Sequence, residues 1–331
     1  MKIVKAIFAL SLCGQVSNVT VKLSTATVIG KVADGVESFA GIPFASPPTG
    51  NLRLRPPQRI RNNIGVVDGT RIAGACSQQA FRPEDLASIT GVAHIFPNLL
   101  GGVPVAPKES EDFLTVTVTR PKGTRKGSKL PILFWIYGGA FEVGFSAAND
   151  PTDLVKFAIT RRKPFIFVAV NYRVSGFGFL GGKEVGVEGS ANLGLLDQRM
   201  GLEWVADNIA EFGGNPEQVV IWGLSAGSVS VLDQLVLYNG NNMYAGTGIR
   251  KPLFHGAIMS SGSIIPTNIL RQHNHSCRQS AADGFSQFHL YVESKWQGAR
   301  QNPYLAAVGD GSSATSNLPR LLATNCGQLS R

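Results

Sequence analysis

The chain has 331 residues, 44% of them hydrophobic and 16% charged, and its formal net charge is +9. This balance is typical of a globular protein with a large core and excludes a chain that is disordered over most of its length. The positive charge would suit an acidic partner, but only residues 120–129 and 161–163 are densely basic. Neither run is interleaved with aromatic residues, so nucleic-acid binding is not predicted.

Residues 1–17 have the pattern of a secretory signal peptide. Lys2 and Lys5 precede a short apolar run that small residues follow. The run is too short to span a bilayer, and no transmembrane segment is predicted. An ordinary first strand is the alternative interpretation. The signal peptide predicts a secreted, extracellular protein, and sequons at Asn18 and Asn274 predict N-glycosylation.

Cleavage of this peptide would leave three cysteines, Cys76, Cys277 and Cys326. An odd number in a secreted chain leaves at least one of them unpaired unless it joins another chain. The pairing stays open at this point.

The first part of the chain is rich in β-forming residues. The residues from Val19 to Phe39 predict two or three short antiparallel strands. Residues 41–50 contain prolines and glycines that exclude a helix and predict an ordered turn-rich connection. Residues 69–110 are irregular, and a long irregular stretch of this kind is often a lid or a binding loop.

The middle of the chain alternates between strands and helices. Continuous apolar runs at 132–137, 165–170 and 219–222 predict buried strands, and residues 150–160 and 195–212 predict helices between them. Strand, helix, strand in this order predicts parallel βαβ units. After about residue 266 the alternation weakens, and residues 267–331 are predicted to form a divergent tail.

The stretch from Gly223 to Gly227 reads Gly-Leu-Ser-Ala-Gly and follows a predicted strand. It fits the G-x-S-x-G nucleophile elbow, in which a serine sits on a sharp turn from strand to helix. The flanking glycines let strand and helix approach, and the helix directs its positive end toward Ser225. Because glycine is abundant in this chain, the pattern alone also fits an ordinary glycine-rich turn.

An acyl-transfer serine also needs N–H donors for the tetrahedral oxyanion. The Ala226 N–H follows the serine directly, and a glycine-rich turn after an earlier strand supplies the other donors in such sites. The run Gly138-Gly139-Ala140 follows a predicted strand and fits that position.

Together these stretches resemble the N-terminal part of type-B carboxylesterases/lipases, and the secreted fungal lipases most. The resemblance covers roughly residues 19–266 and is most specific at residues 192–199, Asn-Leu-Gly-Leu-Leu-Asp-Gln-Arg. It implies an α/β-hydrolase fold with a central, mostly parallel sheet flanked by helices, in a domain spanning residues 18–266. It also implies hydrolysis of a small-molecule or lipid ester without metal or cofactor. The implied site residues are the nucleophile Ser225 and the oxyanion-hole N–H groups of Gly139, Ala140 and Ala226.

Three positions depart from the family's pattern. Ala140 stands where a glycine is usual and needs a backbone conformation that tolerates a Cβ atom. Leu224 stands where a glutamate is usual, which removes a charge beside the elbow. Phe113 stands where the family has the cysteine that pairs with the one at position 76, so Cys76 is expected to lack this partner.

The family's catalytic acid and histidine lie far downstream of the serine, and we cannot assign either in this sequence. His255 matches a non-catalytic family position and leads into a predicted buried strand. Asp233 lies about 12 Å along the helix from Ser225, by the rise of 1.5 Å per residue. Asp283 and His289 are the one close acid-then-base pair of the tail, but no predicted strand carries them.

The tail therefore leaves several alternatives. It is an altered reading frame, an unspliced intron or a real truncation, and the fold is expected to be truncated on its C-terminal side. Two functions follow. The first is an ester hydrolase that forms an acyl-Ser225 intermediate, and the alternative is a catalytically inactive, truncated hydrolase-fold protein or binding module.

Overall fold

A computed structural model gives the architecture. It describes residues 17–72, 74–78, 107–244, 246 and 250–263, without the side chain of Lys183. Several sequence predictions lie outside the described residues: the signal peptide up to residue 16, most of the irregular stretch 69–110, the tail 267–331, and Asn274, Cys277, Asp283, His289 and Cys326 within the tail.

Eleven strands form in the described part of the chain. They are β1 Ser17–Lys22, β2 Thr27–Ala33, β3 Val36–Pro43, β4 Val66–Asp68, β5 Thr115–Pro121, β6 Leu130–Ile136, β7 Ile166–Val170, β8 Gly214–Leu224, β9 Met243–Tyr244, β10 Lys251–Pro252 and β11 Gly256–Ser260. Nine of them make one sheet, while β9 and β10 pair separately.

The order along the main sheet is β1-β2-β3-β5-β7-β6-β8-β11, with β4 beside β2. The strands β7, β6, β8 and β11 are parallel neighbours. The strands β1, β2, β3 and β5 join them at β7 through antiparallel pairs, while β4 pairs with β2 in parallel. This confirms the predicted α/β fold with its parallel centre, and the first strands confirm the predicted antiparallel entry.

Five α-helices connect the strands in the described part. They are α1 Thr152–Thr160, α2 Ser175–Phe179, α3 Lys183–Val187, α4 Leu193–Asn208 and α5 Ala226–Gly240. Short 3₁₀ turns occupy Gly50–Leu52, Ser146–Ala148 and Ile209–Phe212. The predicted helix 195–212 is thus an α-helix that finishes as a 3₁₀ turn before Gly213, whose φ of 86° reverses the chain.

Helices cover both faces of the sheet. Successive residues of β6 point to opposite faces, so Phe134 joins the core under α4 and α5 while Trp135 joins the core under α1. Val155 of α1 is fully buried against the second face. The continuous apolar runs of β6 and β7 follow from this double burial.

The strand after His255 was predicted to be buried, and this prediction is wrong in part. β11 pairs with β8 through Ala257 and Ile221, but its own residues are half-buried or exposed, and Ile258 is 45% exposed. The apolar run Ala257-Ile258-Met259 is typical of an interior strand. Within the described residues, however, β11 has a neighbouring strand on one side only, which is β8.

Within the described residues, no helix combines the length and the apolar character needed to cross a membrane.

Candidate active site

Ser225 occupies the turn between β8 and α5. Its backbone has φ 54° and ψ −121°, a conformation that costs an L-residue energy. The side chain is exposed, whereas the following Ala226 is buried at the start of α5. The strain and the exposure are those of a nucleophile elbow.

The flanking glycines allow this turn for a steric reason. A Cβ atom on Gly223 would lie 2.7 Å from the Ser228 nitrogen, and one on Gly227 would lie 2.6 Å from the Tyr137 carbonyl oxygen. Each distance is well inside van der Waals contact. Gly223 therefore lets the strand fold back on its own helix, and Gly227 lets α5 touch the end of β6.

Strand β11 holds the elbow from the other side. The Ser225 N–H donates to the Ser260 carbonyl oxygen (2.9 Å), and the Ser228 hydroxyl donates to the Gly262 carbonyl oxygen (2.7 Å). Ser260 and Gly262 lie within the stretch 19–266 that resembles the family, but the sequence alone assigns them no role. No local pattern reveals this contact, because Gly262 lies 34 residues from Ser228.

The glycine turn after β6 lies directly beside the serine. The parallel register pairs Ile136 with Gly223, so the next residues of each strand meet at Gly138 and Ser225. A Cβ atom on Gly138 would lie 3.0 Å from the Ser225 Cβ and closer still to the Leu224 carbonyl oxygen. The structure therefore brings the two sequence motifs together.

The backbone of this turn leaves two N–H groups unused. The Glu142 and Val143 N–H groups both donate to the Gly139 carbonyl oxygen at 3.0 Å. Among the described residues, none accepts a hydrogen bond from the N–H of Gly139 or Ala140. Unpaired backbone donors beside an exposed serine could stabilise an oxyanion that formed there. Ala140 itself is exposed.

Gly139 and Ala140 of this turn both have positive φ angles, which glycine adopts readily and alanine adopts only at a cost. Ala140 has φ 57°, a left-handed value that an alanine adopts at a cost of about 1–2 kcal/mol. Gly139 has φ 125° and is also crowded, because a Cβ atom there would lie 2.8 Å from the Val143 carbonyl carbon.

Substitutions at these two positions should differ in effect. Ala140→Gly relieves the left-handed strain but loosens the unfolded chain, so the free energy of unfolding should change by less than about 1 kcal/mol. Gly139→Ala should displace the turn and lower Ser225 labelling by a serine-directed probe about 100-fold. Urea unfolding and labelling rates measure the two effects. Equal labelling in both variants would contradict the assignment of this turn.

Buried polar contacts fix the surroundings of the turn. The rings of Tyr137 and Tyr172 stack, and each hydroxyl donates to the other residue's carbonyl oxygen, at 2.9 and 2.7 Å. The Gly144 N–H donates to the Gln78 side-chain oxygen at 2.8 Å. The Ser146 N–H donates to the Asn171 side-chain oxygen at 2.8 Å. The contacts of Tyr172 and Asn171 tie the residues after β6 to the end of β7, and the part-buried contact of Gln78 ties them to the segment after Cys76. None of these contacts was predicted.

A buried ion pair continues this support behind β7. The Arg173 guanidinium donates to both carboxylate oxygens of Asp197, at 2.8 and 2.7 Å, and the Arg173 N–H donates to the same carboxylate at 3.0 Å. Burial raises the pKa of the Asp197 carboxyl, while the Arg173 guanidinium acts to lower it. Arg173 also donates to the Arg55 carbonyl oxygen (2.8 Å). The specific motif at residues 192–199 therefore supplies a structural anchor.

Two downstream candidates for the acid or base lie away from Ser225. His255 stands at the opening of β11, where its N–H donates to the Val219 carbonyl oxygen (2.9 Å). That is about 16 Å along the strand from the elbow, at 3.3 Å per residue. Asp233 lies inside α5, and burial raises its pKa well above the ordinary range. Among the described residues, neither is placed to take a proton from Ser225.

Cys76 is a free thiol within the described part of the chain, as expected. It is buried, and it lines a small cavity together with the buried side chain of Phe113. Phe113 stands where the family has its second cysteine, and its side chain lines the same cavity as Cys76. Burial raises the pKa of the Cys76 thiol to about 12.

This raised pKa predicts a protected cysteine. A thiol that stays protonated until about pH 12 forms almost no thiolate at neutral pH. Iodoacetamide should leave the Cys76 peptide unmodified in the native protein and alkylate it fully in urea, as peptide mass analysis would record. Alkylation at equal rates in both states would contradict this environment.

Leu224 and Asn18 both lie at the surface of the described structure. Leu224, in place of the family's glutamate, is 38% exposed beside the serine and makes this edge of the elbow apolar. Asn18 and Thr20 of the first sequon are both exposed in β1, away from the elbow.

A sheet with a parallel centre and helices on both faces, together with a strained serine between strand and helix, defines an α/β-hydrolase. Comparison with known proteins identifies the family within this class. The carboxylesterase family model matches residues 17–294, and the chain belongs to that family.

Several curated relatives match the same region. The chain is 55% identical over 251 residues to the secreted triacylglycerol lipase LIP1 of Gibberella zeae, covering 76% of this chain and 42% of that protein. It is 43% identical over 249 residues to lipase 5 of Diutina rugosa, covering 73% and 43%. It is 35% identical over 238 residues to an acylcarnitine hydrolase of Mus musculus, covering 72% and 38%.

Solved structures agree on the fold. EstA of Aspergillus niger superposes with a TM-score of 0.59 at 32% identity, covering 73% of this chain and 41% of that one. The carboxylesterase EST55 of Geobacillus stearothermophilus gives a TM-score of 0.56 at 31% identity, covering 74% and 43%. The chain thus spans less than half the length of the relatives it matches.

Proposed function

We propose that this protein is a serine carboxylic ester hydrolase in which Ser225 forms the acyl intermediate. The observation that carries the proposal is that the exposed, strained Ser225 lies beside the N–H groups of Gly139 and Ala140, from which no described residue accepts a hydrogen bond. Membership of the carboxylesterase family supports it.

The reaction follows from this arrangement. The Ser225 oxygen attacks the ester carbonyl carbon, and its proton passes to a base. The carbonyl oxygen becomes an oxyanion that accepts hydrogen bonds from Gly139, Ala140 and Ala226. The tetrahedral intermediate collapses, the alcohol leaves with a proton, and water then releases the acid and regenerates the serine. In this proposal Ser225 is the nucleophile, and Gly139, Ala140 and Ala226 are the oxyanion donors.

We infer the substrate class and location from the relatives. Those named as lipases and as an acylcarnitine hydrolase support a small-molecule or lipid ester as the substrate. The names of two secreted fungal lipases, together with the basic and apolar N-terminal pattern, support an extracellular protein. The exposure of Asn18 leaves its sequon accessible to glycosylation.

A fluorophosphonate probe tests the nucleophile. The Ser225 oxygen should displace fluoride from phosphorus, and peptide mapping should find the label on Ser225 in the folded chain. The variant Ser225→Ala and the urea-unfolded chain serve as controls, and neither should be labelled. A cooperatively folded chain that takes no label would contradict the hydrolase and support the alternative, a catalytically inactive hydrolase fold.

A further inference from the structure

The two densely basic runs of the sequence meet at one edge of the sheet. Lys129 stands three residues before Ile132 in β6, and Lys163 stands three residues before Ile166 in β7. Ile132 and Ile166 are partners in the parallel register. Because neighbouring strands lie about 4.8 Å apart, the two runs emerge side by side where β6 and β7 begin.

This basic edge carries seven exposed cations. They are Lys122, Arg125, Lys126, Lys129, Arg161, Arg162 and Lys163. Its exposed or partly exposed acidic neighbours in the described part of the chain are fewer: Asp34 in the adjoining β2–β3 turn, Glu211 and Glu217. Glu37 also lies there, but it is buried and pairs with the buried Arg120. On α1 the exposed Asp153 lies 3.7 Å from Lys156, which offsets its charge. Of the cations, Lys126 pairs with Glu211 at 2.7 Å. The positive excess is therefore local and does not merely reflect the overall charge of +9.

Apolar side chains of α1 adjoin these cations. Phe157 is 55% exposed, Ile159 40% and Leu154 38%. The Arg161 guanidinium lies 4.9 Å from the centre of the Phe157 ring, so charge and apolar surface are in direct contact. Leu154, Phe157 and Arg161 follow one another at spacings of three and four residues and therefore share one side of α1. Val155 is fully buried on the sheet, and Ile159, four residues after it, lies closer to the sheet than Phe157 does.

We propose that the basic edge and the outer face of α1 dock on an anionic phospholipid surface. Lys and Arg side chains near such a surface each gain electrostatic energy from the headgroups, and exposed apolar residues of a helix enter the interface. A hydrated polyanion would satisfy the cations but gives the exposed side chains of Phe157 and Leu154 no apolar medium. The combination of exposed cations with adjoining apolar side chains favours a lipid surface as the binding partner.

Docking at this edge would hold the serine away from the lipid. Strands β6 and β8 run from the basic edge toward Gly138 and Ser225, and β6 alone spans about 20 Å at 3.3 Å per residue. The contact is therefore an anchor that leaves the elbow facing water, separate from substrate binding. It does not depend on the proposed ester hydrolysis.

Flotation with lipid vesicles tests the proposal on the full chain. Binding is expected to vesicles that contain phosphatidylserine, to fall as salt rises, and to be absent with phosphatidylcholine alone. The triple variant Arg161→Glu, Arg162→Glu, Lys163→Glu should weaken binding at least about 100-fold, and Phe157→Ser should weaken it about tenfold. Fluorophosphonate labelling of Ser225 should be unchanged in both.

A charge-matched control separates position from net charge. The triple variant Lys22→Glu, Arg61→Glu, Lys108→Glu changes the net charge equally at exposed sites away from the basic edge. Its vesicle binding should change by less than about tenfold. Equal losses in the two triple variants, unchanged binding of Phe157→Ser, or binding to heparin without binding to the vesicles would each overturn the proposal. Unfolding midpoints confirm that every variant is folded.

Discussion

Replacing Gly227 by alanine is expected to lower fluorophosphonate labelling of Ser225 at least about 100-fold and to destabilise the fold by about 3 kcal/mol. A Cβ atom at this position would lie 2.6 Å from the Tyr137 carbonyl oxygen and closer still to that of Ile136. Both are backbone atoms at the end of β6, and they cannot rotate away as a side chain could. Helix α5 must therefore shift by about 1 Å, and Ser225 moves with it.

Gly176→Ala is the matched control. Gly176 lies in α2, and a Cβ atom there meets no other atom within 4 Å. Alanine should stabilise this helical position by up to about 1 kcal/mol and leave labelling intact. Labelling kinetics and urea unfolding of the two variants give the comparison. Wild-type labelling in Gly227→Ala would mean that the elbow tolerates displacement, contrary to the close contact of α5 with β6.

The parts of the fold that the sequence predicted are those specified by local patterns. Strands β6 and β7 are buried on both faces and therefore read as continuous apolar runs. The elbow at Ser225 requires glycines at fixed offsets, so its conformation is encoded within five residues. The glycine turn at Gly138 was assigned to the same site because, in sites of this kind, a glycine-rich turn after an earlier strand supplies the other oxyanion donors.

The parts that escaped prediction depend on contacts between distant residues. The bond from Ser228 to Gly262 exists only once β11 has paired with β8. The left-handed backbone of Ala140 follows from the packing of its turn, because alanine has no intrinsic preference for it. Predicting the basic edge requires the pairing register of β6 and β7. Its two runs lie far apart along the chain, and each alone resembles a solvated loop.

The largest loss of stability is expected from breaking the ion pair of Arg173 and Asp197. Their side chains are 2% and 0% exposed, and Asp197 accepts three hydrogen bonds from Arg173. The change Asp197→Asn keeps the shape but leaves the guanidinium buried without a counter-charge. Such a break costs about 3–5 kcal/mol, a large part of the total stability of a typical domain. The midpoint of urea unfolding should fall accordingly.

Glu188→Gln provides the comparison for an exposed pair in the same neighbourhood. Glu188 accepts from the Arg55 side chain at 2.7 Å, and both side chains are about half exposed. Water and salt already screen this pair, so the unfolding midpoint should hardly move. If both variants unfolded at the wild-type midpoint, the anchor formed by residues 192–199 would not support the fold. If Asp197→Asn alone is destabilised and also loses Ser225 labelling in the folded state, the same pair positions the end of β7 beside the glycine turn, because Asn171 and Tyr172 immediately precede Arg173.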